Sequence, residues 1–403
     1  MSRLKILMEI LLQWLMLALA VGLGWALGYA ARKKKNRELD PSLSSSLTDR
    51  LKILFETHSE EAIGSFVQSL EVNAETVGMH LSIGSYFRKS GEVEKAILVH
   101  QNLMSRPEIP KLFNDEVIFE LAKDYMAAGL LDRAETLFLQ VKASKSFGDK
   151  SLKWLIDIYQ QEKEWLKACE VALSIQALKG REVLVGVNVS LMLAHFSCEL
   201  AEECSEQHDY WEARNRLREA LSFDKRCVRA NLLLADMHIR NGHYSEAVTI
   251  LRKVEGQDDR FLSEVIPRLV ECSLQMKSED KLRQYLQSIL AKKSLTSVIL
   301  GVSESYNREQ GVKGAGSFLI DQLVSKPSLR GLDRLVDYQL AEAASNSDIR
   351  HLQIIKQVTQ SLLVGKPAYQ CTACGFSGGQ LHWQCPSCKE WGQVAPISGV
   401  DGE

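Results

Sequence analysis

Proline is scarce in this chain of 403 residues, which contains only eight. Because proline interrupts helices, its scarcity favours long helices over a β-rich body. The sequence also lacks an excess of one charge, since 49 Lys and Arg oppose 51 Asp and Glu for a formal net charge of -2. Nucleic-acid binding needs a basic surface, so this balance argues against a nucleic-acid partner.

The residues after the first 31 also lack the compact motifs of an active site. No H-E-x-x-H, G-x-S-x-G, Walker loop or Rossmann glycine fingerprint occurs among them, and the nine His are dispersed. We therefore expect that the chain is not an enzyme. At this length, two or three structural units are expected.

A disulfide framework is also excluded by the distribution of the nine cysteines. Four lie within eighteen residues near the C-terminus, and five occur singly in helical stretches, namely Cys169, Cys198, Cys204, Cys227 and Cys272. Single cysteines of this kind are usually small buried apolar residues in a reducing compartment. We expect the same packing role for three tryptophans in helical stretches, Trp154, Trp165 and Trp211.

Residues 10–31 form the one long uncharged stretch, with 22 residues. As a helix they span about 33 Å, enough to cross a bilayer. Arg32, Lys33, Lys34, Lys35 and Arg37 follow at once, which predicts a periplasmic N-terminus and a cytoplasmic body. A cleavable signal peptide ending at residues 18–20 is the alternative, but eleven more uncharged residues follow before the basic cluster, as in a stop-transfer segment.

Gly24 and Gly28 within this stretch form a G-x-x-x-G pattern, which in membrane helices can be a dimer face. The pattern therefore allows a homodimer. Residues 32–48 combine the basic stop-transfer cluster with a Ser-rich segment and read as a linker.

Alanines then recur at a regular interval. The markers are 34, 38, 34, 45 and 34 residues apart, at Ala62, Ala96, Ala134, Ala168, Ala213 and Ala247. Thirty-four is the tetratricopeptide period. Other residues keep the same phase: Gly or Ala twelve before the marker (Gly84, Ala122), an aromatic residue nine before (Phe87, Tyr125, Tyr159) and a turn glycine five before (Gly91, Gly129, Gly242). Small residues let two helices cross closely, and glycine lets the chain reverse.

Four cysteines near the C-terminus form two C-x-x-C pairs, Cys371 with Cys374 and Cys385 with Cys388. Each pair can fold into a tight turn, with Gly375 and Pro386 shaping the turns, and aim two thiolates at one point. We therefore predict one metal ion held tetrahedrally by four sulfurs, either zinc in a structural site or iron in a rubredoxin-type site.

The residues around these cysteines complete that prediction. His382 lies between the pairs but is not expected to be a ligand, since four thiolates complete the shell. Phe376, Trp383 and Trp391 are expected to cover the metal site or to dock it against the helical body. Electron transfer through iron and stacking on nucleic acid are the alternative functions of such a module, the second disfavoured by the missing basic excess.

The sequence thus predicts an all-α protein: a tetratricopeptide-repeat superhelix with an N-terminal transmembrane helix and a small C-terminal rubredoxin-like four-cysteine knuckle. The expected limits are 1–31 for the N-terminal segment and anchor, 32–48 for the linker, 49–254 for the repeats, 255–364 for further degenerate helical repeats and 365–403 for the metal-binding domain.

Three runs of residues resemble the lipopolysaccharide assembly protein B family. The first runs from His80 through Gly84, Phe87 and Gly91 to Ala96 and His100, the second from Asp124 to Glu135, and the third is the four-cysteine segment through Trp391 to Ile397. The resemblance covers essentially the whole chain. This chain differs in a longer N-terminal lead before the span and in the Ser-rich linker.

The resemblance implies a role in controlling lipopolysaccharide synthesis. Family members look like adaptors that present the committed-step deacetylase of lipid A synthesis to a membrane-bound AAA+ metalloprotease. They are also linked to an inner-membrane lipopolysaccharide sensor and to export proteins. In the family the knuckle packs on the repeats and is needed for activity, and the four Cys here match it position for position.

Overall fold

The computed structural model describes residues 76–106, 111–177, 188–343, 345–400 and 402. No helix in these ranges is both long enough and apolar enough to cross a membrane. The predicted anchor at 10–31, the linker at 32–48 and the first repeat marker, Ala62, lie outside the described residues.

The chain divides into two compact units, Met1–Ser151 and Leu152–Glu403. The described part of the first unit is helical, and its helices are α1 (Val77–Lys89), α2 (Val93–Met104), α3 (Lys111–Ala127), α4 (Leu131–Val141) and the first turn of α5 (Gly148–Glu162).

The second unit continues in the same way and ends in three short strands. Its helices after α5 are α6 (Trp165–Ala177), α7 (Val189–Glu206), α8 (Tyr210–Phe223), α9 (Val228–Arg240), α10 (Tyr244–Leu251), α11 (Lys253–Gln257), α12 (Leu262–Gln275), α13 (Glu279–Leu290), α14 (Thr296–Ser325), α15 (Leu329–Glu342) and α16 (Asn346–Leu363). A 3-10 turn, Asp259–Phe261, joins α11 to α12. The predicted body of repeated helices is thus confirmed.

The repeat markers occupy the positions predicted from their period. All five in the described ranges are completely buried: Ala96, Ala134, Ala168, Ala213 and Ala247. The turn glycines five residues before three of them have left-handed backbone, with φ of 84° at Gly91, 72° at Gly129 and 74° at Gly242. Glycine is favoured there because it has no Cβ to clash.

The same turn recurs where the sequence has no glycine. Lys163, His208 and Lys277 adopt φ of 58°, 64° and 50°. Lys163 and His208 lie five residues before their marker alanines, whereas Lys277 lies five before Leu282, which is 7% exposed. The next positive φ, 74°, interrupts α14 at Gly311. The hairpin period therefore continues beyond Val254, although alanine no longer marks it.

A buried polar cluster explains one of the small residues. A Cβ placed on Gly84 would lie 2.3 Å from Nε2 of His100, so the imidazole fills the space of the missing side chain. His100 Nδ1 hydrogen-bonds the Asp124 carboxylate, which also accepts from Arg88 Nη1 at 2.6 Å. Breaking such a buried charge cluster by removing one partner is costly.

The predicted packing roles hold for some single residues and fail for others. Trp165 is 6% exposed, but Trp211 is 75% exposed, so the packing prediction for Trp211 was wrong. All nine thiols are free, and Cys198, Cys227 and Cys272 are buried as predicted, whereas Cys169 and Cys204 are partly exposed.

The C-terminal segment forms a small antiparallel sheet of β1 (Tyr369–Cys371), β2 (Ser377–Gly378) and β3 (Val394–Pro396), in the order β2-β1-β3. Tyr369 pairs with Gly378 on one side and with Pro396 on the other. The sheet fixes the start of the first cysteine pair, because Cys371 is the last residue of its central strand.

Candidate metal centre

The two C-x-x-C segments fold into matching turns. The Gly375 N–H donates to the Cys371 carbonyl at 3.0 Å, and the Lys389 N–H donates to the Cys385 carbonyl at 2.9 Å. Both donors have left-handed backbone, with φ of 79° and 61°. The structure confirms Gly375 and Pro386 as turn residues, with Pro386 inside the second turn. The position equivalent to Gly375 in the second turn is Lys389.

These turns bring the four sulfurs together. The Sγ atoms of Cys371, Cys374, Cys385 and Cys388 all lie within 4.8 Å of one another. Sγ of Cys371 is 3.8 Å from that of Cys388, and Sγ of Cys374 is 3.6 Å from that of Cys385. A tetrahedron with corners about 2.3 Å from its centre has edges of about 3.8 Å. The donor set therefore fits one tetrahedral metal ion, whether zinc or iron.

Main-chain N–H groups stabilise the thiolate form of two of the cysteines, Cys374 and Cys388. A hydrogen bond from the Phe376 N–H is the largest influence on Cys374 and lowers the pKa of its thiol to about 6. The Glu390 N–H acts in the same direction on Cys388, but desolvation and the neighbouring sulfurs raise the pKa of that thiol to about 12. Four thiolates this close repel one another, and a central cation removes that conflict.

The centre is closed to substrate. Cys371 and Cys385 are buried together with Val394, and Phe376 and Leu381 pack against them. Four sulfurs fill a tetrahedral shell and leave no open coordination position, as in structural zinc sites. His382 is not part of the cluster of ligand atoms; its ring lies 6.2 Å from that of Phe376. The arrangement can hold a metal but has no place for a metal-activated water.

Trp391 docks the metal domain against α5, α6 and α7. Its indole Nε1 donates to Gln160 Oε1 at 2.7 Å, and its ring stacks on His195 at a centroid distance of 4.9 Å. The rings of Trp165 and Phe196 meet it edge-on, at 6.1 Å and 5.8 Å. Trp391 is only 4% exposed, so most of its surface is covered within this contact.

Two more residues extend the contact to the 3-10 turn and to α12. Trp383 stacks on Phe261 at 5.4 Å, and the Tyr369 hydroxyl donates to Glu264 Oε1 at 2.6 Å. The predicted docking role of Trp383 and Trp391 is thereby confirmed, while Phe376 belongs to the cover of the sulfurs. The metal domain is therefore an integral part of the second unit.

The imidazole beneath Trp391 is electrically neutral at ordinary pH. Burial, and secondarily the charge of Arg229, lower the pKa of His195 to about 3. Arg229 is itself buried and pairs with Glu199 at 2.8 Å and Glu202 at 2.5 Å. Sequence reasoning missed His195, as it missed Gln160, because neither belongs to a motif.

Two family models match parts of the chain. A rubredoxin metal binding domain matches residues 369–396, and a tetratricopeptide repeat matches residues 205–266. The fold and the sulfur cluster thus define the class: a tetratricopeptide-repeat protein with a rubredoxin-type metal-binding domain.

Whole-chain relatives give the family. The chain is 31% identical to lipopolysaccharide assembly protein B of Escherichia coli strain K12, over 89% of this chain and 91% of that protein. It is 29% identical to lipopolysaccharide assembly protein B of Haemophilus influenzae, over 92% and 93% of the two chains. The chain belongs to the lipopolysaccharide assembly protein B family, as its sequence motifs predicted.

Among solved structures, a tetratricopeptide repeat protein from Parabacteroides merdae shares 11% sequence identity. The match covers 71% of this chain and all of that one, with a TM-score of 0.32.

Proposed function

We propose that this protein is a scaffold of the inner membrane that regulates lipopolysaccharide synthesis. In this proposal it presents the deacetylase of the lipid A pathway to a membrane-bound AAA+ protease, and it responds to an inner-membrane lipopolysaccharide sensor and to export proteins. Cys371, Cys374, Cys385 and Cys388 are the proposed ligands of its metal ion, which keeps the small domain folded. The chain itself carries out no reaction.

The observation that carries the proposal is the docking of the metal domain on the helices, in a chain of this family. If the tetratricopeptide repeats and the rubredoxin metal binding domain were separate modules, their presence would suit many unrelated proteins. Here Trp391, Trp383 and Tyr369 join the metal domain to four helices through Gln160, His195 and Glu264 among others. The metal domain and the helices thus form a composite surface, which can recognise a folded partner because its two parts are already held together.

Anchoring and location rest on the sequence. Residues 10–31 are long and apolar enough to span the bilayer, and the basic cluster behind them predicts a cytoplasmic body. Tethering raises the local concentration of the scaffold near a membrane-bound protease. The domain limits given above, and pairing of two copies through Gly24 and Gly28, are part of the same proposal.

A second function has one observation in its favour. Cys374 is exposed, and an exposed sulfur ligand offers a route for one electron in a rubredoxin-type iron site. Iron in the purified protein, a reversible reduction and a partner reductase would favour that alternative. A colourless protein with one zinc per chain would exclude it.

Depletion of the protein in its host tests the scaffold proposal. We expect a longer deacetylase lifetime and a higher lipopolysaccharide level, because the protease then lacks its adaptor. Pulse–chase labelling of the deacetylase and quantification of lipopolysaccharide measure both. An unchanged deacetylase lifetime after full depletion would refute the adaptor role.

A further inference from the structure

Trp211, which sequence reasoning assigned to packing, lies on the surface at the start of α8. Its side chain is 75% exposed, and that of its neighbour Tyr210 is 46% exposed. Exposed tryptophan and tyrosine are unusual because burial of their large rings is favourable, and both are over-represented among the residues that dominate binding at protein interfaces.

A pocket adjoins the two rings. Its volume is about 230 Å³, and its lining includes Leu234 and Met237, with His238 and His243 beside them. Leu234 is 7% exposed and gives the pocket an apolar floor. A concave space of this size suits one apolar side chain of a partner.

The surface beside the pocket is cationic. Arg214 and Arg218 follow Trp211 at three and seven residues, so all three share one face of α8. Both arginines are exposed, and neither has an ion-pair partner among the residues that the structure describes. Arg216 differs, because it pairs with Glu212 at 2.8 Å and Glu219 at 3.1 Å.

The same two arginines act electrostatically on His238, which lines the pocket. Burial is the main cause that lowers the pKa of His238, and the charges of Arg214, His243 and Arg218 act in the same direction. Glu246 is the acidic group that opposes them. Two arginines, Arg214 and Arg218, thus stand against one carboxylate, Glu246, around this position, so the surface complements an acidic partner.

We propose that Trp211, Arg214, Arg218 and the adjoining pocket form a docking surface for an acidic segment of a partner protein, which inserts one apolar side chain into the pocket. The inference rests on the proposed scaffold function and adds the chemistry of one partner. An anionic membrane fits less well, because lipid recognition uses clusters of about four to eight basic residues and a bilayer presents no single side chain to a pocket.

Site-specific photo-crosslinking in the host tests this surface on the full chain. Trp211 is replaced by the photoreactive residue p-benzoylphenylalanine, and the captured peptide is sequenced by mass spectrometry. Leu166, which is 57% exposed on α6, is the control position. We expect capture at 211, but not at 166, of a protein segment rich in Asp and Glu with an apolar residue among them.

A synthetic peptide of the captured sequence is then titrated against the detergent-solubilised full chain by fluorescence anisotropy. We expect Trp211→Ala to raise Kd by about tenfold or more, the usual effect at a dominant interface residue. The double variant Arg214→Glu with Arg218→Glu should do the same and abolish the salt dependence. Arg216→Gln, on the same helix but outside the surface, should change Kd by less than about twofold.

Four results would overturn the inference: equal capture at 211 and 166, capture of lipid, capture of a segment without acidic residues, or an unchanged Kd for Trp211→Ala. The outcome is separable from that of the proposed function. If capture fails while depletion still lengthens the deacetylase lifetime, the docking surface is refuted and the scaffold proposal stands. If an acidic segment binds while depletion has no effect, the scaffold proposal is the one refuted.

Discussion

One amide oxygen of α5 holds two residues of the metal domain. Gln160 Oε1 accepts from Trp391 Nε1 at 2.7 Å and from Gln384 Nε2 at 3.0 Å. Because Trp391 is 4% exposed, its N–H has little access to water as a substitute. Gln160 is therefore the polar centre of an otherwise aromatic contact.

Replacement of Gln160 by Ala should loosen the metal domain without removing its metal. An indole N–H left unsatisfied in a buried contact costs about 1–3 kcal/mol. We expect a lower melting temperature by calorimetry, an unchanged metal content and weaker regulation. Gln161→Ala, at the exposed neighbouring position, is the matched control and should be neutral. Equal melting temperatures for the two variants would contradict the role of Gln160.

Prediction from the sequence succeeded where one residue type is required and failed where only the assembled fold brings residues together. Ala96 and Gly91 were recognisable because a close crossing and a left-handed turn strongly favour small residues. The later hairpin with Lys277 and Leu282 has the same geometry, but lysine and leucine at these positions do not predict it. The four cysteines were identifiable because their spacing alone defines a turn.

The docking contacts lay beyond such reasoning. Gln160 and Trp391 are 231 positions apart, and glutamine or histidine within a helix carries no signal of a distant partner. Trp211 shows the opposite error, because a tryptophan in a helical stretch is usually packed. Its exposure depends on which face of α8 the neighbouring helices cover.

His195 predicts a specific pH dependence of stability. Its pKa is about 3 in the folded protein, against about 6.5 in an unfolded chain. The unfolded state therefore takes up a proton first, so the stability is fully present above about pH 6.5 and is lost as the pH falls towards 3. At pH 5 the loss is about 2 kcal/mol.

Acid also removes the metal, but that loss lowers the stability of the native protein and of the variant His195→Gln alike. A comparison of the two proteins therefore isolates the contribution of His195. At pH 8 the variant should melt below the native protein because it lacks the ring that stacks on Trp391. We expect the gap between the two melting temperatures to narrow from pH 8 to pH 5. A gap that stays constant over this range would show that His195 does not titrate as described.

The proposed membrane topology, with a cytoplasmic body, predicts in which compartment a fused reporter protein is active. A fusion after residue 40 follows the basic cluster and should be active only as a cytoplasmic reporter, since positive residues stay on the cytoplasmic side. Paired alkaline phosphatase and fluorescent-protein fusions at the same position measure this. High phosphatase activity would place the body in the periplasm and remove the basis of the adaptor proposal.

Deletion of residues 1–31 should leave a folded body that regulates poorly. The proposed anchor precedes the helical repeats in the sequence. It confines the scaffold to the membrane of its proposed protease and so raises the effective concentration. Circular dichroism should match the native body, and deacetylase lifetime should approach that of the depleted cell. Full regulation by the untethered protein would show that the anchor is dispensable.

Replacement of Cys371 or Cys388 by Ser should unfold the metal domain while the helices remain. Each variant leaves three of the four sulfurs that lie within 4.8 Å of one another, and the binding free energy of structural zinc, typically about 10–16 kcal/mol, depends on a complete shell. Helical repeats contact mainly their neighbours, so the circular dichroism of the helices should be retained.

The loss of metal should also expose the surface of α5, α6 and α7 against which Trp391 packs. Once Trp391 leaves its place against His195 and Gln160, the melting temperature of the second unit should fall, and the deacetylase should persist because the composite surface is gone. Metal analysis, calorimetry and deacetylase pulse–chase give the three readouts. His382→Ala is the control and should bind metal and regulate normally, because His382 is outside the sulfur cluster. A Cys388→Ser protein with one metal per chain and normal deacetylase turnover would refute the requirement for this centre.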